Sequence, residues 1–224
     1  MRYVVKRASA EPRLDVDLGR EPWALAEVAQ VDSFHAKSSD HRPETRARVL
    51  FHGRSLFVSF TVRDKYVLAR QREFQSPVYT DSCVEFFFRP KPEKGYFNLE
   101  MNCLGVILMY YFTDVEQRGA APEEYVKVDP MLAATIEVFH TMRDGTELEI
   151  AEDLDWQLCY KLPIAVLEHY SGEIGELSGQ SWTGNFFKCA DNSSHPHWAS
   201  WSPIGESLNF HQPLHFGQIE FRDS

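Results

Sequence analysis

Glu85 and Glu100 are the residues of this chain whose types and spacing first point to chemistry. Glu85 lies in Asp81-Ser82-Cys83-Val84-Glu85-Phe86-Phe87, and Glu100 lies in the next run, Tyr96-Phe97-Asn98-Leu99-Glu100-Met101-Asn102. On adjacent strands they would form a carboxylate pair, the device with which glycosidases protonate a leaving oxygen and attack a sugar carbon. The same carboxyls would equally accept hydrogen bonds from ligand hydroxyls or hold a buried arginine. Four polar side chains, Tyr96, Asn98, Glu100 and Asn102, alternate with apolar ones and so share one face of a strand. Buried and unpaired, each would cost about 1–3 kcal/mol. The face is therefore either a solvated outer surface or a concave cleft whose amides and carboxyls read hydroxyl groups.

Tyr79, Trp198, Trp201 and Phe210 add flat apolar surfaces. Trp198 and Trp201 fall in HPHWASWSP, a stretch more loop than strand. Loop aromatics either stack on the apolar face of a pyranose ring or anchor the loop to the body. The late histidines form H-x-H at His195 and His197 and H-x-x-x-H at His211 and His215. On a strand the first pair would share a face, as metal ligands do. Pro196 interrupts such a strand and no structural-zinc spacing is met, so no metal ligand is assigned. The chain has no G-x-S-x-G, P-loop or H-E-x-x-H.

These groups need elements to hold them, and the dominant apolar period is two. Strands are predicted over Thr45–Phe51, Ser55–Arg63, Cys83–Arg89, Tyr96–Asn102 and Gly105–Phe112. Weaker ones are predicted over Ala134–His140, Glu147–Ile150, Asp155–Leu162, Trp182–Cys189 and Gly217–Phe221. CVEFFFR is almost wholly apolar, as a strand covered on both faces would be. A short helix or turn is predicted at Glu21–Val28, a short helix at Leu162–His169, and long loops over Thr113–Met131 and Ser171–Gln180. No repeat or linker divides the chain. The pattern predicts an all-β fold, a single antiparallel β-sandwich of immunoglobulin-like or jelly-roll-like form with a few short helices, as one domain over residues 1–224.

The chain has 224 residues and a formal net charge of −10, from 23 Lys and Arg against 33 Asp and Glu. That balance opposes duplex nucleic acid or an anionic membrane surface as partner. Aromatic residues make up 13% of the chain, far more than a binding face alone would use. Cys83, Cys103, Cys159 and Cys189 form no C-x-x-C pair and read as buried reduced thiols. The start lacks the apolar stretch of a signal peptide, which predicts a cytoplasmic protein.

Together these segments resemble a known family. Tyr79-Thr80-Asp81-Ser82-Cys83-Val84-Glu85-Phe86-Phe87 is similar to the D-S-x-V-E-x-F strand of family 9 carbohydrate-binding modules. Tyr96 to Asn102, Trp156 ahead of Leu162-Pro163, Trp182 to Lys188, Trp198 to Pro203 and Phe210 to Gly217 follow in matching order, over residues 20–222. The resemblance implies a β-sandwich that binds mono-, oligo- or polysaccharides, often beside xylan- and glucan-degrading enzymes. It implies a terminal sugar held between two aromatic rings with a glutamate near the first. Glu85 matches that glutamate. Tyr79 stands where better-known members carry Trp, and Trp198, rather than Trp201, is the preferred second ring. Asn98, Glu100 or Asn102 stands in place of the family's arginine, and Lys188 is a further donor. The resemblance also implies structural calcium, without placing it on particular residues, and no other cofactor. Three other readings compete: a small glycoside hydrolase using Glu85 and Glu100, a haem-binding sandwich using Met101 or Met109 with a late histidine, and a protein-interaction sandwich.

Overall fold

Alternation of β-branched and aromatic residues with polar ones gives each strand one face that must be covered. In the computed structural model, which describes residues 1–15, 17–113, 124–143 and 145–223, those faces cover one another. The strands before the site are β1 (Arg2–Arg7), β2 (Ala29–Gln30), β3 (Ser33–Phe34), β4 (Glu44–His52), β5 (Ser55–Asp64) and β6 (Val67–Ala69). The site strands follow: β7 (Cys83–Arg89), β8 (Tyr96–Asn102), β9 (Ile107–Phe112) and β10 (Tyr125–Lys127). The rest are β11 (Glu137–His140), β12 (Thr146–Ile150), β13 (Leu154–Pro163), β14 (Ser181–Cys189), β15 (Trp198–Ser200) and β16 (Gly217–Arg222).

One sheet runs in the order β10-β9-β8-β7-β14-β16-β1-β4-β5-β13-β11, with β2 on β4, β15 on β14 and β3 on β15. A separate ribbon joins β6 to β12. The pairings are antiparallel except at β1, which lies parallel to β16 and parallel to β4. The predicted sandwich is present, but its purely antiparallel form is corrected by this seam. The two halves of the curled sheet face each other across it. Phe86 and Phe88 of β7, Phe97 and Leu99 of β8 and Phe60 of β5 share one core with Trp156 and Tyr160 of β13. Phe186 of β14 stacks on Phe86 at 4.6 Å between ring centroids and meets Phe60 edge-on at 6.2 Å.

Most predicted strands differ from the observed ones by a residue or two at each end, and Cys83–Arg89 and Tyr96–Asn102 agree. The short helix or turn expected at Glu21–Val28 is a 3-10 turn, Trp23–Leu25. Trp23 is buried there and its Nε1 donates to the Arg13 carbonyl at 2.8 Å. The second helix starts later than expected, as α2 (Ile164–Ser171), because β13 continues to Pro163. Of the loop expected at Thr113–Met131, residues 114–123 lie outside the described residues, and the remainder holds β10 and the start of α1 (Pro130–Ala133). Among the described residues no helix is long and apolar enough to cross a membrane.

Candidate functional site

The site is the outer face of β9-β8-β7-β14, the face turned away from the core. Register places Glu85 opposite Glu100, Phe87 opposite Asn98, and Cys83 opposite Asn102. On the flanking strands Tyr110 faces Asn98, Phe187 faces Glu85, and Cys189 faces Cys83. The period of two that buries Phe86, Leu99 and Met109 in the core therefore puts carboxyls, amides and thiols on the other side. Loops cover that side. Val78–Thr80 forms a 3-10 turn that brings up Tyr79, the chain after β14 brings Asp191, β15 brings Trp198, and residues 208–211 bring Phe210 and His211. Together they enclose a cavity of about 630 Å³. That volume lies within the roughly 300–1,000 Å³ of small-ligand pockets.

Five of the eight expected residues line this cavity: Tyr79, Glu85, Asn98, Glu100 and Trp198. Glu85, Asn98 and Glu100 are buried on its floor, and Tyr79, 41% exposed, stands at its rim. Asn98 is fixed by its neighbours. Its Oδ1 accepts from the Tyr110 amide at 2.6 Å and its Nδ2 donates to Glu100 Oε1 at 2.8 Å. Glu100 Oε2 is buried and has no hydrogen-bond partner among the described residues. Glu85 Oε1 accepts from the Cys189 thiol at 3.1 Å. Trp198 donates its indole N–H to Asp191 Oδ1 at 2.7 Å, and the Asp191 amide donates to the Tyr79 carbonyl at 3.1 Å. The carrier loops of the two candidate rings are thus tied through one aspartate.

Burial dominates the electrostatics. It pushes Glu100 up to about 8, against the lowering hydrogen bond from Asn98 and with help from nearby Asp191. Burial, with Cys189 and Glu100 alongside, pushes Glu85 well above the ordinary carboxylate range. Asp191 is raised by burial and held down in part by Trp198. Burial also depresses His211 to about 4, so it faces the cavity as a neutral imidazole, with Nδ1 3.0 Å from the Tyr96 hydroxyl. The floor at neutral pH is therefore largely uncharged.

Three expected residues lie elsewhere. Lys188 falls between Phe187 and Cys189, so alternation turns it inward. Its ammonium donates to His197 Nε2 at 2.7 Å and sits 3.3 Å from Asp64 Oδ2, all fully buried. Burial alone would raise Asp64, but Lys188 and His41 outweigh it and hold the carboxyl well below its usual range. Lys188 is a cross-link between β14 and β5, not a cavity donor. Asn102 is used up locally. Its Nδ2 donates to Asp81 Oδ2 and the Gln71 carbonyl, and its Oδ1 accepts from the Leu104 and Val106 amides. Trp201 belongs to the core, 5% exposed and edge-on to Tyr3 and Phe186. The H-x-H histidines diverge: His197 goes to Lys188, and His195 stacks on Tyr66 at 3.7 Å. Met101 and Met109 are buried in the core, on the opposite side of the sheet from His211, so no haem can take ligands from both.

Asp191, Tyr110 and Tyr125, to which the sequence assigned no role, also line the cavity, as does His211, weighed from sequence only as a metal or haem ligand. Tyr110 was accessible in principle, since pairing β8 with β9 sets it beside Asn98. Asp191 follows a strand end and carries no local signal. For the calcium implied by resemblance, no suitable group of three His, Cys, Asp or Glu side chains is found among the described residues. Among the described residues the one group of three such side chains that could hold a metal is Cys83, Glu85 and Cys189. Its two sulfurs do not suit calcium, which takes oxygen ligands.

A β-sandwich with an aromatic-rimmed cavity and hydrogen-bonding groups on its floor defines a binding domain for small polar molecules. The family model for carbohydrate-binding family 9 matches residues 22–221, and the chain belongs to that family. A solved structure from Bacteroides uniformis ATCC 8492, assigned as a carbohydrate-binding protein, is 27% identical. It aligns over 99% of both chains with a TM-score of 0.85. Two structures of a family 9 module from Caldicellulosiruptor kristjanssonii, one in complex with cellotriose and one with glucose, share the fold at TM-score 0.64. They are 12% and 10% identical, and cover 100% of this chain with 95% and 97% of their own. Among curated protein sequences nothing matches.

Proposed function

We propose that the cavity binds a neutral saccharide without cleaving it. The sugar ring lies against Tyr79 and Trp198, and its hydroxyls bond to Glu85, Asn98 and Glu100. The observation that carries this reading is Glu100 Oε2, a buried polar atom on the cavity floor with no hydrogen-bond partner among the described residues. Such an atom costs about 1–3 kcal/mol until something bonds to it, and a sugar hydroxyl does so. Among the described residues no Lys or Arg lines the cavity, which supports a neutral rather than an acidic sugar. The raised carboxyls also speak against hydrolysis. A glycosidase pair needs one carboxylate ionised as nucleophile or base, whereas burial raises both Glu85 and Glu100 and so disfavours ionising either. The related modules in complex with cellotriose and glucose point to glucose-type ligands as the first to try.

Titration calorimetry with glucose, xylose and cellotriose tests this. The parent protein is expected to bind at least one of them. Tyr79→Ala and Trp198→Ala should each weaken binding by about tenfold, the worth of one stacked ring, with unchanged circular dichroism. A parent protein that binds no saccharide sinks the proposal. Turnover of an aryl glycoside that disappears in Glu85→Gln would replace it with the hydrolase reading.

A further inference from the structure

Two thiols, Cys189 on the cavity floor and Cys83 buried beside it, have no role in saccharide binding. Cys83 of β7 and Cys189 of β14 are direct register partners, and Glu85 lies two residues beyond Cys83 on the same face. One ligand atom from each, two Sγ and a carboxylate oxygen, all lie within 4.8 Å of one another. Glu85 Oε1 is 3.1 Å from Cys189 Sγ and 4.0 Å from Cys83 Sγ. In a tetrahedral site with metal–sulfur bonds near 2.3 Å and metal–oxygen bonds near 2.1 Å, neighbouring ligand atoms stand roughly 3.6–3.8 Å apart. Both sulfur–oxygen distances therefore lie within about half an ångström of the edge of such a coordination polyhedron.

We propose that Cys83, Glu85 and Cys189 bind one thiophilic divalent cation of the zinc class, with the fourth coordination position open to the cavity. Two sulfurs and one carboxylate are the donor set of such an ion rather than of magnesium or calcium. All three side chains stand on paired strands in the middle of a sheet, so the site is held rigidly. The surroundings are apolar: Val78 and Leu108 pack in the same cluster as both cysteines. Cys189 and Glu85 line the cavity, which supplies an entry path and room for water or a ligand oxygen as fourth ligand. Proton balance is explicit. Burial pushes Cys83 up to about 12 and raises Cys189 well above its usual value, so both thiols are protonated without metal. The ion displaces both thiol protons and the Glu85 proton, and the cluster becomes two thiolates, one carboxylate and one dication, with net charge −1. Affinity must therefore rise with pH. The site shares Glu85 with the saccharide reading but does not rest on it.

Cobalt(II) is the probe. Titrated into the whole protein without any sugar, it should give thiolate-to-cobalt charge-transfer absorption and the visible bands of a tetrahedral ion. The signal should saturate at one ion per chain and vanish on adding zinc. Cys83→Ser and Cys189→Ser should each abolish the charge-transfer band, and Glu85→Gln should weaken binding by roughly tenfold or more. Should those variants not fold, X-ray absorption at the zinc edge of the parent protein counts two sulfur neighbours directly. No charge-transfer absorption, a band that survives both cysteine substitutions, or a zinc shell without sulfur overturns the site. Because no saccharide is present, such a failure leaves the sugar reading intact. Loss of sugar binding alone leaves the metal site intact.

Discussion

Glu100 shows how one buried side chain ties the cavity to pH. Its folded carboxyl sits near 8, above the ordinary value of 4.5. The folded state therefore holds this proton more tightly than the unfolded chain, and the stabilisation is fully present below about 4.5. It is lost as pH rises from there to about 8. Thermal unfolding from pH 5 to 8.5 should show a falling midpoint, and Glu100→Gln, which cannot ionise, should flatten that fall. An equally steep fall in the variant would show that Glu100 is not the group responsible. Glu85, raised further by the same burial, adds to the slope in either protein. At this scale the sequence was readable where alternation alone decides. The polar face of Tyr96, Asn98, Glu100 and Asn102 lies together, as the period of two requires. It was unreadable where a distant partner decides. Nothing near Lys188 announces that Asp64 waits across the core, and nothing local separates core Trp201 from cavity Trp198.

Strands β7 and β8 were legible to the residue because they are covered on both faces and end at Pro and Gly turns. Strand β1 was not, since in Arg2–Arg7 only Tyr3 and Val5 are buried, with Val4 between them and charged residues outside, a pattern too short to separate from a frayed start. Its place is set by β16, at the other end of the chain. The turn into β8 carries a sharper constraint. Gly95 lies so close to the edge of β9 that an added Cβ would stand 1.8 Å from the Phe112 carbonyl oxygen and 2.9 Å from the Tyr111 ring. Neither can yield cheaply, because Phe112 is paired with Tyr96 and Tyr111 accepts the Gly95 amide on its hydroxyl. Gly95→Ala should therefore destabilise the protein by on the order of 2–4 kcal/mol. Denaturant unfolding would read this as a lower midpoint at unchanged slope. A midpoint within error of the parent would mean that β9 can move aside freely, which would make the cavity wall far softer than its packing implies.

At the scale of the whole molecule, the question is whether residues 1–224 act as one folding unit. The family match begins at residue 22, yet the sheet is continuous only because β1 lies between β16 and β4. Removing β1 exposes two central strand edges and the Tyr3 and Val5 contacts beneath them. It also removes the Tyr3 hydroxyl, which donates to the Glu27 carbonyl at 2.6 Å and accepts from the Val49 amide at 2.8 Å. The two halves would then be left with loop hydrogen bonds such as Ser82 to Leu68 and with facing side chains such as Lys188 with Asp64, whose burial is stable only while the core is closed. A chain starting at residue 22 should accordingly lose its single sharp unfolding transition and expose apolar surface to a dye such as ANS. The cavity strands β7, β8 and β9 lie several strands from the seam, so loss of saccharide binding in that shortened chain would follow from global loosening rather than from any missing contact. A shortened chain with the parent's midpoint and cooperativity would show that the seam is an accessory and that the cavity half folds without it.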